Sequence, residues 1–149
     1  MKTMTDADLG HELELELEAP FLKLLGVRCT QADINGGHVN LELRPEHQNA
    51  WQVAHGGVLL TLMDVGMAVA ARAADPAGRG VLTLELKNQF LHTAKGTIRV
   101  SAQTVHHSAS LAFVEAKLWD NDDRLCCMGT ATFKYFNKAA LERSLKKDR

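Results

Sequence analysis

The stretch His55-Gly56-Gly57-Val58-Leu59-Leu60-Thr61-Leu62-Met63-Asp64-Val65-Gly66-Met67-Ala68-Val69-Ala70-Ala71-Arg72 decides how this chain folds. A glycine pair opens a helix that is apolar nearly all the way round. Such a helix belongs inside a protein or a membrane. Asp64 interrupts the run and Arg72 closes it, which argues against a spanning segment. Asp64 is therefore expected inside the protein, where an unpaired carboxylate is costly. Burial raises a carboxylate's pKa and makes it a better proton acceptor, so chemistry is the leading explanation for this acid.

The helix is expected from His55 to about Ala74, roughly 27–30 Å at 1.5 Å per residue. Strand patterns flank it on both sides. Before it, Val27 to Ile34 pairs with His38 to Leu43 through an Asn35-Gly36-Gly37 turn. Val39, Leu41 and Leu43 alternate with Asn40, Glu42 and Arg44, which gives that strand one wet face. After it come Val81 to His92, Thr97 to His106, Leu111 to Trp119 and Leu125 to Phe136, joined by short turns. A first segment from Asp6 to Leu25, with a helical start at Asp6 or Asp8, is broken by Pro20. Phe21 to Leu25 then forms a short amphipathic turn ended by Gly26. Lys138 to Arg149 reads as a charged, solvated helix. Two strands, one long helix and four strands predict an α+β fold, an antiparallel sheet wrapped on that helix. One sheet of this size hardly covers an all-apolar helix and closes its own edges, so pairing with a second copy is expected.

The 149 residues suit one domain, with a core from about 24 to 136. At 46% hydrophobic and 23% charged the composition is that of a soluble globular protein. The net charge of −1 offers no broad basic field, so neither nucleic acid nor a membrane surface is an expected partner. No basic region followed by an apolar one opens the chain, where Leu13, Leu15 and Leu17 alternate with glutamates, and a cytoplasmic location is expected. Cys29, Cys126 and Cys127 form neither a disulfide framework nor a zinc spacing and read as small apolar residues. His47, His55 and Asp64 match no metal motif, and no metal is expected.

Three features meet at the start of the helix. Its first turn presents backbone N–H groups without intrahelical partners, and glycine at Gly56 and Gly57 lets an oxygen approach them closely. That geometry suits a carbonyl oxygen gaining charge during acyl transfer, although glycines there also permit close strand–helix packing. Asp64 lies seven residues after Gly57 on the same face, with Thr61 beside it. The preceding loop supplies His47, Gln48, Asn49, Gln52 and His55. Asn49 both donates and accepts, whereas ordinary loop bonding explains His47, Gln48 and Gln52 if they are taken alone.

The segment from His47 through Asp64 resembles the hot-dog-fold acyl-CoA thioesterases of the PaaI-like, phenylacetate-pathway type. Their pattern runs Asn-x-x-Gly-x-x-His-Gly-Gly, then six positions, then Asp, and the likeness extends over about Leu24 to Phe136. The resemblance implies hydrolysis of an acyl-CoA without a further cofactor, coenzyme A being part of the substrate. It gives Asp64 the role of general base or nucleophile, Gly56 that of carbonyl-polarising N–H, Asn49 that of orienting substrate or water, and His55 the end of the loop. Thr83 falls where some relatives position a water. Gly57, Gln52, Thr61, Thr83 and Met67 are the implied substrate contacts, with Leu60 and Met63 beside Met67 in the pocket lining. The resemblance also implies a homodimer or homotetramer in which Asp64 faces the partner's loop from position 49 to 57.

Two departures stand out. Gln52 replaces the first glycine of the pattern, and His107-Ser108-Ala109-Ser110 replaces a Gly-Arg or Gly-Lys pair that would meet coenzyme A phosphates. His106, His107, Lys134 or Arg124 is the candidate substitute for that cation. A hot-dog domain that binds an acyl thioester without turning it over is the alternative. The retained acid at Asp64, and the absence of a helix-turn-helix or basic arm as an output, weigh against it. A hydratase on the same fold would need an acid–histidine spacing that this chain lacks.

Overall fold

A computed structural model describes residues 19–148. The expected helical start at Asp6 or Asp8 lies outside them. Pro20 begins a helix, α1 (Pro20–Leu25), instead of only breaking one: its fixed φ suits the first helical position and its missing N–H costs nothing there. Gly26, left-handed at φ 82°, caps the end through its N–H to Leu22 and Lys23 carbonyls.

The long helix is α2 (Gly56–Ala73), framed by His55 and Ala74 as caps. Six strands surround it: β1 (Arg28–Asp33), β2 (Gly36–Glu42), β3 (Gly80–Phe90), β4 (Thr97–His107), β5 (Leu111–Trp119) and β6 (Leu125–Phe136). They form one antiparallel sheet in the order β1-β2-β4-β5-β6-β3, so β1 and β3 are its edges. α2 touches all six strands, the expected hot-dog arrangement. A last helix, α3 (Lys138–Lys147), is capped by Asn137 and buries none of its residues.

Strand alternation builds the core. Val39 and Leu41, Ile98 and Val100, Ala112 and Val114, and Phe133 and Tyr135 face inward in turn and close on Leu59, Leu62, Met63 and Met67 of α2. The hairpin turn differs from the expected one. Asp33 pairs with Gly36, so Ile34-Asn35 makes the turn and both glycines lie in β2. Gly37 is a glycine for packing: a Cβ there would lie 2.7 Å from Ala70 N and 2.8 Å from Gly66 O, because α2 crosses β2 almost backbone to backbone.

α2 is long and apolar enough to cross a membrane by length and composition, yet half of that window is buried inside the protein. The other residues that escape burial follow a pattern. Gly57, Leu60, Thr61, Asp64 and Ala68 recur at helical spacing, one uncovered stripe down α2. The stripe borders the free edge strand β3, where Leu82, Leu84 and Phe90 are exposed.

Candidate active site at the mouth of the long helix

The loop from 44 to 55 is held by its own polar groups. His47 is buried: its Nδ1 accepts from Arg44 N at 3.0 Å and its carbonyl from His55 N at 2.8 Å. The loop-bonding explanation therefore fits His47. Asn49 Oδ1 accepts from Trp51 N at 2.9 Å and Val53 N at 3.4 Å, so this oxygen is spent on the loop and only the NH2 group is left for any orienting task. Gln52 adopts φ 59°, a left-handed backbone that explains why a glycine suits this point. Gln52 and its neighbour Trp51 are both exposed.

His55 caps α2. Its Nδ1 accepts from Gly57 N at 2.9 Å, which occupies one of the two glycine donors. The Gly56 N–H has no hydrogen-bond partner among the described residues, so it is the donor left for an incoming oxygen. A Cβ on Gly56 would rest 3.6 Å from the Phe90 ring, which sits against the mouth of the helix. Phe90 did not emerge from the sequence. Its only signal is its place on the inward-facing side of β3, opposite the buried Cys127.

Asp64 departs from the expected burial. It is half-buried on the uncovered stripe, because none of the other described residues lies over that face. Thr83 Oγ1 donates to Asp64 Oδ1 at 2.7 Å, which holds the carboxylate toward β3 and leaves Oδ2 free of hydrogen bonds and ion pairs among the described residues. Thr61 sends its hydroxyl back to Gly57 O at 2.8 Å and is committed within the helix. Met67, expected at the substrate, is fully buried between α2 and the sheet, as is Met63, while Leu60 lies on the stripe. Met67 sits on the sheet-facing side of α2, which removes it and Met63 from the pocket lining.

The cation question also resolves differently. Arg124 is bound to the buried Asp120 through Nε at 3.2 Å and NH2 at 2.9 Å. Burial pushes the Asp120 carboxyl up, but the Arg124 guanidinium and two backbone N–H groups outweigh it and hold it below the usual range. His106 stacks on Phe113, whereas His107 and Lys134 are exposed. A guanidinium reaches the β4–β5 turn from elsewhere: Arg79 donates to Ala109 O at 2.8 Å. It is anchored by two bonds to Asp75 and lies over the Tyr135 ring. Those bonds keep Asp75 below the normal carboxylate range.

Among the described residues, no three His, Cys, Asp or Glu side chains converge as a metal would require. One groove of the outer sheet face, lined by residues including Lys87, Gln103, Glu115 and Lys117, lies across the sheet from Asp64.

A family model described as the thioesterase superfamily matches residues 52–127. A Saccharolobus solfataricus protein described as an esterase is 29% identical over 133 residues, which cover 89% of this chain and 88% of that one. A conserved protein of Pseudomonas aeruginosa superposes with a TM-score of 0.77 at 28% identity, covering 82% of this chain and 98% of its own. The E. coli PaaI protein from the phenylacetic acid degradation operon superposes with a TM-score of 0.76 at 18% identity, over 87% of this chain and 96% of that one, a likeness of fold.

Proposed function

The chain belongs to the thioesterase superfamily, a family of thioester hydrolases, and from that premise we propose that it hydrolyses acyl-coenzyme A at a site shared by two copies. The observation that carries this is the placement of two groups on one helix. Gly56 offers an unpartnered N–H and Asp64, eight residues on, offers an unpartnered carboxylate oxygen. Eight residues of helix separate them by about 12 Å along the axis. Reacting groups must approach one carbonyl to roughly 3–3.5 Å, so these two cannot serve the same bond from one protomer. A second copy added antiparallel at the β3 edge would bring its own Gly56 N–H toward this Asp64 and its own Asp64 toward this Gly56.

In that site the Gly56 N–H of one protomer takes up charge on the thioester oxygen as it becomes an oxyanion. Asp64 of the other drives the attack, as base toward water or as nucleophile, with Thr83 fixing its orientation. On the base route the tetrahedral intermediate collapses with cleavage of the C–S bond, and Asp64 returns the proton it took from water to the departing coenzyme A thiolate; on the nucleophile route the same cleavage leaves a mixed anhydride on Asp64, which water hydrolyses to the free acid. The acyl group lies along the stripe by Leu60 and the inward side of β3. A cytoplasmic location accords with this substrate.

The test is incubation of the purified protein with a panel of aryl, short-chain and medium-chain acyl-CoAs and a thiol reagent. Free coenzyme A is expected from at least one substrate. Asp64→Asn keeps the acceptor for Thr83 and should remove at least about 99% of turnover while leaving assembly intact. Full turnover by that variant, or no thiol release by the wild type, rejects the proposal.

A further inference from the structure

Between Leu43 and Ala54 the loop leaves every residue exposed or half-exposed except His47, which is 2% exposed. An apolar side chain would fill that space without burying two polar nitrogens, so the imidazole calls for a cause. A ring so deeply buried touches no substrate, which leaves it an indirect role.

The ring folds back on its own turn. His47 N donates to Arg44 O at 2.9 Å, and Arg44 N returns a bond to His47 Nδ1 at 3.0 Å, a reciprocal pair that closes the turn Pro45–His47. The Arg44 guanidinium covers the ring, its NH2 3.3 Å from Nε2 while donating to Leu24 O at 2.8 Å. With the turn closed, the His47 carbonyl accepts from His55 N at 2.8 Å. His55 in turn takes up most of the first turn of α2. Its Nδ1 accepts from Gly57 N at 2.9 Å, and its carbonyl accepts from Val58 N at 3.0 Å and Leu59 N at 3.2 Å. Of the four N–H groups that a helix start leaves open, that of Gly56 alone stays unpartnered among the described residues. It lies in the same peptide plane as the His55 carbonyl, so the way His55 is held decides where it points.

We propose that His47 is a positioning residue for the hydrolysis: its ring sets the turn whose carbonyl holds His55, and His55 aims the Gly56 N–H at the thioester oxygen. The need is for an acceptor at the place of Nδ1. Asparagine puts its Oδ1 at that place, glutamine puts its oxygen one bond further out, and phenylalanine keeps a ring with no acceptor. The inference rests on the proposed thioester hydrolysis, and the experiment separates the two.

The full chain and its His47→Asn, His47→Gln and His47→Phe variants are assayed on an acyl-CoA that the wild type cleaves, with thermal melts to verify folding. His47→Gln and His47→Phe should lose about 10- to 100-fold in kcat, the scale of a small misplacement, with KM little changed. His47→Asn should recover most of that loss. The same substitutions are then made together with Gly56→Pro, which removes the N–H being aimed. In that background His47→Gln should cost almost nothing further, because the two changes act through one group. Should the phenylalanine variant misfold, the asparagine and glutamine pair carries the comparison. Equal losses in the two backgrounds, or His47→Asn no better than His47→Gln, overturn the role of His47 and leave the hydrolase reading standing. A wild type silent on every thioester overturns the hydrolase reading and this inference with it.

Discussion

Gly56→Pro isolates the proposed oxyanion donor, because the structure lets a proline enter without disturbing the fold. Gly56 is the first residue of α2, its φ is negative, and its N–H holds nothing among the described residues. Proline is favoured at that position, where the lost N–H is an orphan in any case. His55, which would precede it, has φ −63° and ψ 135°, the extended region that a residue before proline prefers. A Cβ there meets the Phe90 ring at 3.6 Å, an ordinary contact. The substitution therefore deletes one hydrogen-bond donor. Loss of such a donor lowers kcat by about 10²–10³-fold, or roughly 2.7–4 kcal/mol of transition-state stabilisation. The sharing of the site is tested by mixing this variant with Asp64→Asn. Random exchange of equal amounts makes half the dimers mixed, and each mixed dimer holds one intact site and one doubly defective site. Activity should return to about one quarter of wild type, although each variant alone is nearly inactive. Thiol release after subunit exchange measures this. A folded Gly56→Pro within tenfold of wild type would refute the donor, and a mixture no better than its components would refute the shared site.

Gln52→Gly should stabilise the protein by about 1 kcal/mol, since Gln52 holds φ 59° where a side chain is strained. A thermal melt should show a rise of roughly 2–4 °C, and an unchanged or lower midpoint contradicts the strain argument. Acid should unfold the protein through Asp75 and Asp120, both held below their ordinary values by arginine and backbone hydrogen bonds. A carboxylate whose folded pKa lies below its unfolded one stabilises the fold fully above the unfolded value and loses that contribution as pH falls through the folded one. Denaturation midpoints should therefore drop below about pH 4, and less steeply in Asp120→Asn, which cannot titrate. Identical acid slopes in the two proteins would rule Asp120 out as a source.

The fold was legible because its signals are local. The long helix announces itself by composition and by the His55-Gly56 start, and β5 and β6 fall at the expected limits because alternation ends at turn residues. The Gly36-Gly37 pair misled for a physical reason. Glycine serves both turns and close packing, and only the approach of α2 to β2 reveals which applies. Pro20 is similar, since proline ends one helix and opens the next with equal ease. At the site, residue types and spacing brought Gly56, His55 and Asp64 into view. They could not bring Phe90, which reaches α2 through strand register, nor divide Met67 in the core from Leu60 on the stripe.

The misplaced expectation about Asp64 points the same way as the chemistry. Composition placed this acid in the interior because nearly every other residue of α2 is apolar, whereas the described residues leave a stripe from Gly57 to Ala68 uncovered. Leu60 is exposed on that stripe, and Leu84 and Phe90 on the strand beside it, next to a strand edge that none of the described residues pairs. Such a surface favours cover, and an edge strand is best covered by another strand. The proposed antiparallel copy meets both demands and supplies Asp64 with the helix mouth that its own protomer holds about 12 Å away. The apolar character of α2 then measures burial in the assembly, and a protein that stayed monomeric at working concentration would leave both the stripe and the acid without a purpose.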